Sequence, residues 1–113
     1  MNDSDPVLMV HTTCADRTEA ERLASELVAE RLAACASIGG DITSVFPWEG
    51  RIDRERETPL TLKTARSAYP ALATRLVELH SYDVPEILAL PVSDGHADYV
   101  QWLRDWIAGR GDA

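Results

Sequence analysis

The stretch ITSVFPWEGRIDRERETPLTLKT, residues 42–64, decides the fold. Ile42, Ser44, Phe46 and Trp48 recur at period two, the spacing that places side chains on one face of a strand. Glu49-Gly50 suits a two-residue hairpin turn. A second arm returns from Arg51. Its first part, Arg51 to Glu57, is charged on both faces, and its second part alternates Leu60, Leu62 and Thr64 with Thr61 and Lys63. Each arm has about ten residues, which at ~3.3 Å per residue exceeds ~30 Å. A domain of this length has a radius of gyration near ~13 Å, so the hairpin outruns its own core. Yet its tip carries Val45, Phe46, Trp48 and Ile52, and leaving large apolar groups in water forfeits roughly 1.5–3 kcal/mol each. Packing of the tip on another copy of the chain is the economical expectation. The alternative is a hairpin that bends at Gly39-Gly40 and folds over its own sheet.

Upstream, Val7 to Val10 is an apolar run ending in His11-Thr12-Thr13, the pattern of a strand buried on both faces. Asp16 and Glu19 have the spacing of a helix N-cap and its capping-box partner. Ala20, Leu23, Ala24, Leu27, Val28 and Leu32 then follow at helical spacing, which predicts a helix over Arg17–Ala34. A strand begins near Cys35 and is interrupted at Gly39-Gly40. Downstream, Ser67 caps a second helix with Pro70 in its first turn, and Pro85 disfavours helix just before it. Glu86 to Leu90 reads as a strand ended by Pro91. A last helix carries Tyr99, Trp102, Leu103, Trp106 and Ile107 on one face.

The order βαββαβα with right-handed crossovers is the ferredoxin-like, split βαβ arrangement with an added C-terminal helix. It is an α+β fold with an antiparallel sheet, helices on one face and a long hairpin between its second and third strands. The 113 residues fit a single domain, with residues 1–6 expected to be disordered. The chain is 45% hydrophobic and 27% charged, with a formal net charge of -8. That charge argues against nucleic acid, whose binding rests on cations at phosphates. No apolar run is long enough to span a bilayer, and Met1 to Pro6 lacks the features of a signal peptide, so a cytoplasmic location is expected. Cys14 and Cys35 are too few for a disulfide framework.

The topology brings Cys14, His80, Tyr82 and Glu86 to one end of the sheet, toward which the hairpin tip with Trp48 and Glu49 also points. Cys35 belongs at the other end, so a Cys14–Cys35 disulfide within one chain is not expected. Thiolate, imidazole and carboxylate suit copper or zinc, although no CxxC, HxxxH or HExxH spacing is present. The bland assignments are a hydrogen-bonded semi-buried His80, a packed Cys14 and a Glu86 that pairs with a cation or backbone N–H groups. Cys14 and His80 also form a conceivable nucleophile pair, but nothing marks an oxyanion hole, and no nucleophile elbow or phosphate loop is present. No enzyme is expected.

Several segments together resemble the CutA family of divalent-cation tolerance proteins, from about Val7 to Ile107. They are Glu30-Arg31-Leu32-Ala33-Ala34-Cys35, Trp48-Glu49-Gly50-Arg51, Leu62-Lys63-Thr64, His80-Ser81-Tyr82-Asp83-Val84-Pro85-Glu86, and Leu90-Pro91-Val92 with Asp94-Gly95 and Asp98 to Trp102. The resemblance implies a ferredoxin-like homotrimer similar in architecture to the PII signalling proteins. It implies tolerance of, or response to, divalent metals such as copper, with no required cofactor and no established catalysis. His80 and Glu86 carry over as candidate metal ligands. Ser81 stands where the family commonly has Pro. Thr12 stands where some relatives have a Cys considered a copper ligand, and Cys14, on the same face ~6.6 Å further along the strand, is the third candidate. The rival expectation is a PII-like module that binds a small metabolite or anion at an inter-subunit cleft built from Trp48, Glu49, Arg51, Lys63 and Tyr82. Docking of an unidentified protein partner is a third.

Overall fold

In the computed structural model, residues 5–111 are described. The elements run β1 (Val7–Cys14), α1 (Arg17–Ala29), β2 (Cys35–Ile38), β3 (Ile42–Trp48), β4 (Arg51–Ala65), a 3-10 turn (Arg66–Ala68), α2 (Tyr69–Leu79), β5 (Leu88–Pro91) and α3 (Ala97–Ile107). The sheet order is β2-β4-β1-β5, with all neighbours antiparallel, and β3 extends the β2 side of the long β4. This is the ferredoxin-like order expected from the sequence, with the expected second strand divided in two. The division falls at Gly39-Gly40, where Gly39 N–H still donates to Pro59 O at 3.1 Å and the Thr58 hydroxyl donates to Asp41 at 2.7 Å.

Alternation along β1 and β4 sorts the two faces. Val10, Leu60 and Leu62 point to α1 and α2, where they meet Leu23, Leu27, Leu72 and Leu76 in the main core. Their neighbours Met9, His11, Thr61 and Lys63 are only half-buried on the other face. A second cluster, Val7, Ala34, Ala65, Leu103 and Trp106, seats α3 at the far end of the sheet. Only Leu103 and Trp106 of the aromatic and aliphatic stripe of α3 are buried; Tyr99 and Trp102 are exposed.

Helix α1 ends at Ala29, not near Ala34 as periodicity suggested. Arg31 adopts a left-handed backbone (φ 60°), and Ala34 N–H is already bonded to Lys63 O at 2.8 Å, so pairing with β4 takes over from the helix. The Arg31 guanidinium covers the Trp106 ring at 3.7 Å and donates to Trp106 O and Gly111 O. These bonds supply local partners for a conformation that side chains rarely adopt. Ser67 does not cap α2. It lies in the 3-10 turn, and its N–H and hydroxyl donate to the Asp5 carboxylate. Asp5 and Pro6 are thus held in place, since Pro6 O also accepts from Arg66 N–H. The expectation of disorder at residues 1–4 lies outside the described residues.

The hairpin of β3 and β4 does not fold back on the sheet. The molecule measures 49 × 25 × 24 Å with a radius of gyration of 15.0 Å, above the ~13 Å of a compact chain this long. Trp48 is 54% and Ile52 69% exposed at its tip. The turn needs positive φ at both central residues, Glu49 (47°) and Gly50 (79°), as a two-residue hairpin turn of the right twist demands.

Candidate functional site

The end of β1, the start of α1 and the end of α2 meet at one buried point. Asp16 caps α1 by accepting from Glu19 N–H at 2.8 Å, and this turn points the Glu19 side chain back toward β1. One Glu19 oxygen accepts from Ala15 N–H at 2.9 Å, and the other accepts from Ser81 N–H at 2.8 Å, just past α2. Burial alone raises the Glu19 carboxyl's affinity for a proton, but these bonds outweigh it and hold the group below its ordinary range. His80 packs beside it. Its Nε2–H donates to Thr13 O at 2.8 Å, and its Nδ1 accepts from Tyr82 N–H at 3.1 Å, which fixes the tautomer with the proton on Nε2.

Cys14 completes the group. Ligand atoms of Cys14, Glu19 and His80 lie within 4.8 Å of one another, and no other such His, Cys, Asp or Glu group occurs among the described residues. Burial, followed by the negative charges of Glu19 and Glu57, pushes the Cys14 thiol up to about 12. Sulfur, imidazole and carboxylate form a set that suits copper or zinc. The set is closed, however. Both His80 nitrogens and both Glu19 oxygens already have backbone partners, so an ion must displace hydrogen bonds to enter.

Of the three candidate ligands, the structure brings Cys14 and His80 together, and the carboxylate beside them is Glu19. Glu86 stands apart on the edge of the open face, where its Oε2 lies 3.5 Å from His11 Nε2. Glu19 was read only as a helix cap. Its second oxygen reaches a residue 62 positions away, and no local pattern announces that.

Beside this cluster, between the hairpin and the segment 82–86, lies a cleft of about 900 Å³. Phe46 and Trp48 of the hairpin line it, together with Thr13, Tyr82 and Glu86. Tyr82 OH donates to Glu57 Oε2 at 2.8 Å, and both residues line the cleft. Burial and the Glu57 carboxylate both make the Tyr82 phenol harder to ionise. Of the residues expected at a ligand cleft, Trp48 and Tyr82 line this one. Glu49 and Arg51 lie at the tip, with Arg51 turned to Asp53 at 3.4 Å. Lys63 sits six residues beyond Glu57 on β4, ~20 Å along the strand, opposite Met9 and Cys35, with its amine 5.9 Å from the Tyr99 ring. One copy of the chain does not bring Lys63 to Trp48.

Comparison with known proteins fits this architecture. Residues 8–106 match the family model described as CutA1 divalent ion tolerance protein. The divalent-cation tolerance protein CutA of Thermus thermophilus is 41% identical over 97 residues, covering 86% of this chain and 94% of that protein. The chloroplastic protein CutA 1 of rice is 38% identical over 88% of this chain, and the chain spans only 56% of that protein's length. Among solved structures, rice CutA1 superposes with a TM-score of 0.89 at 36% identity, covering 93% of this chain and 96% of that one. CutA of Xylella fastidiosa gives 0.88 at 37% identity, covering 90% and 98%. No helix of the described residues is long and apolar enough to cross a membrane. With its sheet order, its long hairpin and a match along nearly its whole length, the chain belongs to the CutA1 family of divalent ion tolerance proteins.

Proposed function

We propose that the protein works as a cytosolic homotrimer in tolerance of, or response to, divalent metal ions, binding copper or a similar ion weakly and catalysing no reaction. The observation that carries the metal reading is the buried donor set Cys14–Glu19–His80 at the end of β1. Its closure explains the weakness: an ion taken up by His80 and Cys14 must break the bonds from Tyr82 N–H or to Thr13 O, and must strip the proton from a thiol that holds it tightly. Glu19, rather than Glu86, is the carboxylate near enough to join them. Glu86 contributes only if it leaves His11. The projecting hairpin, with Trp48 and Ile52 in water, supports assembly into an oligomer. Calorimetry with copper and zinc on the protein and on His80→Ala, at low and high salt, tests the site. Equal affinities in the two proteins remove it, and binding that vanishes with salt assigns the signal to the acidic surface.

A second reading, a module that holds a small molecule, is favoured by the cleft beside Tyr82. Its lining is acidic, which disfavours an anion in a single copy. The Lys63 and Arg51 expected to serve an anion stand outside its lining.

A further inference from the structure

The two faces of the hairpin carry opposite charge. Residues paired across β3 and β4 share a face, and faces alternate along each strand. The pairs Ile42–Glu57, Ser44–Glu55, Phe46–Asp53 and Trp48–Arg51 set three carboxylates against one arginine, which is itself turned to Asp53. This face is the more covered one: Ser44, Phe46 and Asp53 are half-buried and Glu57 is buried. The pairs Thr43–Arg56, Val45–Arg54 and Pro47–Ile52 form the other face, with two arginines and no carboxylate. Its six residues are all exposed, and Val45 and Arg56 also border the cleft. Arg54 and Arg56 make no ion pair among the described residues, whereas Arg17, Arg22, Arg75 and Arg110 each meet a carboxylate. Two unpaired guanidiniums beside Val45 and Ile52, which are 54% and 69% exposed, make a basic and apolar strip.

Two arginines on a chain of net charge -8 are a poor fit to nucleic acid. They fit a second copy of the chain better. Copies that each carry -8 repel at a distance, so contact is favoured where the local sign inverts, as it does on this strip. The matching surface needs carboxylates around an exposed apolar group. The segment Asp83-Val84-Pro85-Glu86 has that composition. Val84, at 88%, is the most exposed large apolar side chain among the described residues. Asp83 beside it is exposed and makes no ion pair among those residues, and Glu86 follows on its other side. We propose that the strip of Val45, Ile52, Arg54 and Arg56 on one copy docks on the Asp83–Glu86 segment of the next. Two different patches of one chain then meet head to tail, the arrangement that closes a ring of copies. The proposal rests on assembly through the hairpin and names the two surfaces that meet. It is independent of the Cys14 cluster.

Arg54→Glu/Arg56→Glu reverses the strip, Asp83→Arg reverses the segment, and a triple variant carries both changes. Each full-length protein is followed by sedimentation velocity over a dilution series at 0.15 M and 0.5 M salt. Subunit exchange between isotope-labelled and unlabelled protein gives the same comparison where dilution does not separate the copies. All three positions are exposed, and circular dichroism checks that the variants fold; Arg54→Gln/Arg56→Gln, which removes charge without reversing it, gives a smaller loss should the Glu variant not fold. The parent is expected to separate more readily at 0.5 M salt. Each reversal alone is expected to separate about tenfold or more readily than the parent, because like charges then face each other. The triple variant is expected to recover about threefold or more of that loss, the coupling expected of surfaces in contact. An assembled parent whose folded variants separate no more readily than it does, or a triple variant no tighter than the double one, overturns the pairing and leaves assembly through the hairpin in place. A monomeric parent overturns both.

Discussion

Replacing Glu19 by Gln tests the way the site is built. The carboxylate ties three elements: its own helix start, Ala15 at the exit of β1, and Ser81 at the exit of α2. Gln keeps one acceptor oxygen, so one of the two N–H groups retains a neutral partner while the other faces an amide NH2. A hydrogen bond to a charged group contributes about 1.5–3 kcal/mol. Losing one such bond and weakening the other gives a destabilisation of about 3 kcal/mol, which for a chain of this length lowers Tm by about 12 °C, at about 4 °C per kcal/mol. Urea and thermal unfolding at fixed protein concentration measure it, because assembly would make both depend on concentration. The pH dependence carries a sign. The folded carboxyl titrates below its ordinary value of 4.5, so its stabilisation is fully present above that value and disappears as pH falls through the folded value. The gap between protein and variant should therefore hold at pH 6–7 and close in acid. A variant within about 0.5 kcal/mol of the parent at pH 7, inside the range of ordinary surface changes, or a gap that persists unchanged at pH 3, refutes the reasoning.

Three further outcomes follow from the same geometry. In the native protein at pH 8, Ellman's reagent should titrate the half-buried Cys35 promptly and Cys14 only after unfolding, since burial keeps the Cys14 thiol protonated up to about 12; prompt reaction of both thiols contradicts this. Leu62→Ala, at a fully buried position under α1 and α2, should cost about 2–5 kcal/mol in denaturant unfolding, and a loss below about 1 kcal/mol would place Leu62 outside the core. Gly50→Ala should lower stability by about 1 kcal/mol, because the turn holds Gly50 at φ +79° in open space, so the cost is backbone strain and not collision; a neutral result would mean the tip relaxes freely.

The fold was legible where periodicity speaks. The period-two run from Ile42 to Trp48 and the alternation of Leu60, Leu62 and Thr64 located the hairpin and its faces, and the length of its arms anticipated a molecule 49 Å long. Topology alone put Cys14 beside His80, because β1 and α2 end at the same edge. Periodicity misled at the end of α1. Leu32 continues the apolar stripe, but the pull of β4 on Ala34 and the left-handed Arg31 end the helix earlier. The site was legible in part. Glu19 declared itself as a cap and hid its bond to Ser81. Glu57 lies in a run charged on both faces, Arg51 to Glu57, where nothing local distinguishes the one carboxylate that Tyr82 draws into the interior. Such pairings depend on segments far apart in sequence, and no window of residues contains both partners.

The central claim is that copies of this chain assemble through the projecting hairpin and take up copper through His80 and Cys14. Native mass spectrometry of the full-length protein with copper, alongside His80→Ala, addresses both halves in one measurement. A mass of three copies that carries copper in the parent, with copper lost and the trimer kept in the variant, is the predicted result. A monomer, or equal copper uptake by the two proteins, would contradict it.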